Sequence, residues 1–261
     1  MTTRTRVWLW PNLLSLDAPA VALLWQILFV RCFHASAGTA SAVLLTLAVW
    51  LIYAADRMLD AWRGAITTQR HEFYRLHWRA VLPVWLTLLA AASWIAWVQL
   101  PPALWSRGML LACGSVVYLG TVHGAPAWWR RPDSKEAAVG VVFALGVSLA
   151  AWPMVQTWTD ILAIAQFCVL CWMNCVAIED WESGSRARGL VIAGAAWVAL
   201  VSVLLLREHR PVIACAETVS AFGLVALDRY SRRLSPEAMR VWADLVLLSP
   251  IFFLHVAGTA V

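Results

Sequence analysis

Charge is what this chain has least of. Only 13% of its 261 residues are charged, against 62% hydrophobic, and the mean hydropathy is +0.71. A soluble domain is about a quarter charged, so the deficit excludes an ordinary water-soluble globule and points to an integral membrane protein. Lysine is nearly absent, with Lys135 alone against nineteen arginines. A linker, a low-complexity tract and a soluble domain are also missing, so residues 1–261 read as one polytopic membrane domain. "HEFYRLH" at 71–77 lacks the spacing of a His-Glu-x-x-His zinc motif, its second histidine falling at i+6, and His71 and His77 read as interfacial. No pair of Gly/Pro-interrupted spans recurs at matching positions in the two halves, which argues against a small-solute transporter.

What the chain has instead is long apolar runs. Nine segments stand out, at 18–33, 38–55, 81–99, 108–122, 136–152, 158–178, 189–206, 211–227 and 241–258. Most approach the ~20 residues that a helix needs to cross ~30 Å of hydrocarbon. The shorter ones lean on flanking tryptophans, many of the eighteen falling near segment ends as interfacial belts do. Barrel strands would alternate in period 2 over about ten residues, so the expected fold is all-α: nine transmembrane helices in a single bundle. Between the second and third segments, "RHEFYRLHWR" has the composition of a short interfacial helix. Asp17 followed by Pro19 opens the first span as an N-cap with an early proline.

The basic residues orient the bundle. With the N-terminus inside, sixteen of the twenty Lys and Arg fall in the tail and the even-numbered loops, and only Arg31, Arg107, Arg207 and Arg210 fall outside. That bias predicts a cytoplasmic N-terminus and an external C-terminus, in a bacterial inner membrane or a plasma membrane. The pI near 9.1 then reflects loops facing anionic headgroups, and no nucleic-acid partner is needed to explain it. Arg4, Arg6, an apolar run and "ASA" at 35–37 also suggest a signal peptide, a reading opposed by Arg31 and His34 in the cleavage region.

Two acidic clusters interrupt this apolar pattern. In "LIYAADRMLDAWRG" (51–64), Asp56 and Asp60 stand one helical turn apart, where two like charges repel by a few tenths of a kcal/mol. In "NCVAIEDWESGSRARG" (174–189), Glu179, Asp180 and Glu182 precede Arg186 and Arg188. Either cluster alone reads readily as solvated, self-neutralising loop charge. Four spans separate them, however, and the predicted topology puts both on the cytoplasmic side. Mg²⁺ takes oxygen ligands and is typically held by one or two carboxylates plus substrate phosphates. Two such sites facing each other would clamp a diphosphate. Lys135, in the fourth loop on the same side, is a candidate phosphate contact, with Arg63, Arg130 and Arg131 as weaker ones. Cys168, Cys171 and Cys175 form one stripe of the sixth span and read as a packing face. Glu217, inside the eighth span, reads either as an acceptor-binding group or as a neutral structural one.

A nine-helix membrane chain with acidic motifs after spans two and six resembles the UbiA-type intramembrane prenyltransferases. That family carries Asn-x-x-x-Asp-x-x-x-Asp after the second helix and Asp-x-x-x-Asp after the sixth. Asp56 and Asp60 match the acids of the first motif, with Ile52 in place of its Asn. The second ladder falls on Asn174, Ile178 and Glu182, with Glu179 and Asp180 alongside. "SLDAPAVALLWQ" (15–26) and "PDSKEAAVGVVFALG" (132–146) also have the family's look. The resemblance implies transfer of a polyprenyl group from a polyprenyl diphosphate to a lipophilic acceptor, with Mg²⁺ as cofactor and a cytoplasmic active-site face. It assigns Asp56 and Asp60 to one ion, and Glu179, Asp180 and Glu182 to the other. Lys135, with Arg63, Arg130, Arg131 and Asn174, would bind the diphosphate, while Trp50, Tyr53, Tyr118 and Trp172 would shelter an allylic cation. Ile52 and Ile178 favour the rival reading, a non-catalytic lipid-binding or partner protein of the same fold. A small-solute transporter with Glu217 at its midplane is the third.

Overall fold

In a computed structural model, residues 7–64, 68–124, 132–183, 188–208 and 210–258 are described. Those residues form α-helices and short 3₁₀ turns joined by short connections, with no strand among them. Ten α-helices follow in order: α1 (Trp10–Leu13), α2 (Asp17–Cys32), α3 (Thr39–Trp62), α4 (Gln69–Gln99), α5 (Pro102–Gly124), α6 (Pro132–Ser148), α7 (Trp158–Ser183), α8 (Arg188–Arg207), α9 (Pro211–Tyr230) and α10 (Pro236–Val246). Seven of these segments are long and apolar enough to cross a membrane, or eight if Val7–Leu13 and α2, bent by 74°, count as one broken span. The chain is thus an all-helical, multi-pass protein in its length and composition.

Two expectations change. Segment 241–258 is not one helix: α10 ends at Val246, and 3₁₀ turns at Ser249–Phe252 and Val256–Gly258 follow. Pro250 has no N–H to donate, and it stands where a continuing helix would need one. The region read as a long loop with its own short helix is mostly helix, α3 running on to Trp62 and α4 starting at Gln69 and passing through Pro83. At 31 residues, α4 is about 46 Å long at 1.5 Å per residue, half as long again as the hydrocarbon core.

By contacts the chain forms two compact units. The first comprises Met1–Ala22 and Gly38–Ala125. Its core lies between α3 and α4, where Ala54, Met58 and Ala61, spaced by four and three along one face of α3, close over Tyr74. Trp85 Nε1 donates to the Leu51 carbonyl (2.9 Å), and Trp50 Nε1 to the Leu14 carbonyl (3.0 Å). Tyr74 Oη donates to Ser15 Oγ (3.2 Å) at the bend between α1 and α2, where Ser15 adopts φ 55°. Asp17 is the first residue of α2 and not the N-cap before it, and its carboxylate accepts from Ala18 N (2.9 Å) and Asn12 Nδ2 (2.5 Å). The outer faces of α4 and α5 are exposed apolar surface, suited to lipid.

The second unit comprises Leu23–Ala37 and Pro126–Val261. Here α7 is the most buried span and packs against α6, α8, α9 and α10. Trp25 and Phe29 of α2 meet Phe167 of α7 with ring centroids 4.4 and 5.5 Å away. Gly140 lets α6 approach α7 closely: a Cβ there would lie 3.0 Å from the Cys168 carbonyl oxygen and 3.1 Å from Trp172 N. That contact runs beside the cysteine stripe, none of whose three residues is in a disulfide. Trp25 Nε1 donates to the carbonyl of Leu247 (2.8 Å), which satisfies backbone at the end of α10.

Candidate functional site

The charged groups of the first unit gather where α3, α4 and α5 meet. Asp56 and Asp60 lie one turn apart near the end of α3, with side chains 17% and 20% exposed. The last turn of α5 brings His123, buried, with Nε2 2.9 Å from Asp56 Oδ1 and Nδ1 3.7 Å from Asp60 Oδ1. The first turn of α4 brings His71, whose Nε2 lies 3.5 Å from Asp60 Oδ2. Arg57 Nη1 sits 3.5 Å from Asp56 Oδ2, 3.8 Å from Asp60 Oδ2 and 3.5 Å from His71 Nε2. His71 is therefore buried in the cluster rather than interfacial. His77 keeps an exposed position, stacked on Phe73 and 2.9 Å from its carbonyl.

Two like charges side by side are tolerated here because cationic or titratable nitrogens surround them. Most of those contacts, at 3.5–3.8 Å, are ion pairs longer than a hydrogen bond. The Asp56–His123 contact, at 2.9 Å, has hydrogen-bond length. Beside the cluster, the ends of α3 and α5 bound a groove of about 460 Å³. Leu59, Val116, Leu119 and Gly120 line it, and Arg63 and His123 put polar groups at the same place. A charged cluster against an apolar groove is the arrangement that an amphiphile with an anionic head and a hydrocarbon tail needs.

As donors, Asp56 and Asp60 fit one Mg²⁺, an ion that needs only one or two protein carboxylates when phosphate and water complete its shell. Among the described residues, no three His, Cys, Asp or Glu side chains are arranged as a complete metal site.

The other candidates belong to the second unit or lie outside the described residues. Asn174 of α7 is buried, its Oδ1 without a hydrogen-bond partner. Further along the helix, Glu179 is exposed and Asp180 buried. Trp181 Nε1 donates to Asp228 Oδ1 of α9 (3.2 Å). Glu182 pairs with the buried Arg240 of α10, which commits that carboxylate to holding α10 against α7. Lys135 is exposed in the first turn of α6. Arg130 and Arg131 lie outside the described residues. Of the aromatic candidates, Trp50 is tied to the Leu14 carbonyl, and Trp172 flanks Gly140.

His123 is the site residue that sequence reasoning missed. Its partner Asp56 is 67 residues away, and nothing local in "TVHG" marks the contact. Compared with known proteins, the chain matches no family model, no curated protein and no solved structure.

Proposed function

We propose that the chain is a membrane-embedded prenyltransferase of the UbiA type, moving a polyprenyl group from its diphosphate to a lipophilic acceptor. The observation that carries the reading is the apolar groove between the ends of α3 and α5, set against the Asp56–Asp60 cluster and edged by Arg63. In this reading the bundle crosses the membrane nine times from a cytoplasmic N-terminus. The interrupted segment from α10 onward makes the ninth crossing, and the arginine bias supports the orientation.

Asp56 and Asp60 would hold a Mg²⁺ together with the diphosphate, and the charge so supplied would offset that of the leaving group. His123 and Arg57 hold the two carboxylates in place, and Arg63 meets the remaining phosphate charge from the groove side. Leu59, Val116 and Leu119 take the isoprenoid tail. The resemblance gives Asn174, Glu179, Asp180, Lys135, Arg130 and Arg131 roles that substitution would test, whereas Glu182 is taken up by Arg240. A second reading, binding of an anionic amphiphile without turnover, is favoured by one feature: Arg57, His71 and His123 already stand against the acid pair.

The test is thermal stabilisation of the purified chain by a non-hydrolysable prenyl diphosphate analogue, with and without Mg²⁺. A ligand at 100 times its Kd should stabilise by about 2.7 kcal/mol. The shift should need Mg²⁺ and vanish in the double variant Asp56→Asn/Asp60→Asn. No shift at any tail length would sink both readings, and a shift indifferent to Mg²⁺ would leave only the second.

A further inference from the structure

Glu217 of α9 is fully buried, and neither carboxyl oxygen has a hydrogen-bond partner. Its neighbour Gln166, on α7, is also fully buried. Gln166 Nε2 is committed to Ser202 Oγ of α8 (2.9 Å), while its Oε1 is left without a donor. Ser202 Oγ also accepts from Thr218 Oγ1 (2.8 Å) and leans toward the Ala214 carbonyl (3.4 Å). The hydroxyl protons of this cluster are thus spent among its own members; the second N–H of Gln166 Nε2 is the one donor left for the Glu217 carboxyl, and Gln166 Oε1 has none.

The backbone beside the cluster is irregular. One turn along α9 from Glu217, Ser220 Oγ lies 2.9 Å from the Val246 carbonyl and 2.8 Å from Ser249 Oγ. Ser249 Oγ in turn donates to the Ala216 carbonyl (2.8 Å). This is where α10 stops and the 3₁₀ turn at Ser249–Phe252 begins. Helix interruptions within a membrane-sized bundle persist where side chains satisfy them or where they line a polar site, and a buried carboxylate marks the latter.

Surplus acceptors around an acid in an apolar interior require positive charge. No Arg, Lys or His among the described residues supplies it. The titratable groups that sense Glu217 are two thiols, Cys171 on α7 and Cys32 on α2, and Arg210 at the start of α9 is already paired with Asp160. Ser202 from α8, and Ser249 from the segment after α10, are the polar side chains of the other elements in these networks.

We propose that Glu217 and Gln166 form a binding site for a small exchangeable cation, H⁺ or Na⁺, in the core of the second unit. A proton on Glu217 would donate to Gln166 Oε1; Na⁺ would take that oxygen and both carboxyl oxygens as ligands.

The test uses the full chain in detergent, as wild type, Glu217→Gln and the surface control Glu208→Gln. Melting is followed from about pH 5 to about pH 9 in NaCl, KCl or choline chloride at fixed ionic strength. A sodium site gives stabilisation by Na⁺ but not K⁺ or choline, with half-saturation falling about tenfold for each unit rise in pH while protons still compete, and Glu217→Gln abolishes it. A proton site gives a wild-type melting temperature that falls toward high pH relative to Glu217→Gln, whatever the salt. Should Glu217→Gln fail to fold, the infrared carbonyl band of the protonated carboxyl in wild type reads the same exchange, bleaching as pH rises or Na⁺ is added. Parallel wild-type and Glu217→Gln curves at every pH and in every salt, or a carbonyl band that never bleaches, would overturn the proposal.

Discussion

Arg210 ties three helices of the second unit together, and its removal should be expensive. Its Nη2 lies 2.7 Å from Asp160 Oδ1, the distance of a charge-assisted bond though not its angle, and the Asp160 side chain is 1% exposed. Its Nη1 donates to the Cys32 carbonyl at the end of α2 (2.9 Å), and its guanidinium lies 5.2 Å from the Phe33 ring centroid. Breaking a buried ion pair by removing one partner costs about 3–5 kcal/mol. Two features lower the figure here. The Arg210 side chain is 24% exposed, and the Asp160 carboxylate keeps backbone donors from Gln156 and Thr157, both at 3.0 Å. Arg210→Ala should therefore destabilise by about 2–3 kcal/mol, of which the bond to Cys32 carries about 1 kcal/mol. Asp160→Asn, which keeps an oxygen for the two N–H groups and leaves Arg210 open to water, should cost about 1–2 kcal/mol. The double variant should lose at least about 1 kcal/mol less than the sum of the two. Reversible unfolding in mixed micelles, followed by tryptophan fluorescence, measures all three. An Arg210→Ala loss under about 0.5 kcal/mol, or strict additivity, would refute the reasoning.

Three further outcomes follow from the packing and the groove. Gly140→Val should destabilise by about 2–3 kcal/mol, because its side chain meets the backbone of α7, whereas Gly114→Val, with open space around it, should stay within about 1 kcal/mol of wild type in the same unfolding assay. Trp25→Phe should cost about 2–3 kcal/mol, since it opens a void in a fully buried position and strands the Leu247 carbonyl; a cost below about 0.5 kcal/mol would mean that water reaches that carbonyl. In analogue-binding titrations Arg63→Ala should weaken affinity about tenfold and the exposed Arg107→Ala not at all, while Gly120→Leu, filling the groove, should penalise long tails more than short ones.

The helical, multi-pass character was legible because it rests on composition and run length, which need no tertiary information. Boundaries were less so. The stretch after α3 looked like a loop because its arginines dilute the hydropathy, yet His71 and Tyr74, three apart, put one face of α4 against α3 and extend the helix. Segment 241–258 looked like a span because apolar composition alone does not reveal that Ser249 and Pro250 are held in a 3₁₀ turn by Ser220 and Ala216. In the candidate site, Asp56 and Asp60 could be picked out by their i, i+4 spacing. His123 could not, because only folding brings the last turn of α5 to α3. The Glu182–Arg240 pair was hidden for the same reason, joining α7 to α10 across a long stretch of chain.

The most direct test of the central claim is photocrosslinking with a prenyl diphosphate analogue that carries a diazirine on its tail, followed by peptide mapping. Mg²⁺-dependent label on Leu59 and on Val116–Gly120, competed by unlabelled prenyl diphosphate and lost in Asp56→Asn/Asp60→Asn, is the predicted result. Label that ignores Mg²⁺ and competitor, or that falls only outside α3 and α5, would contradict it.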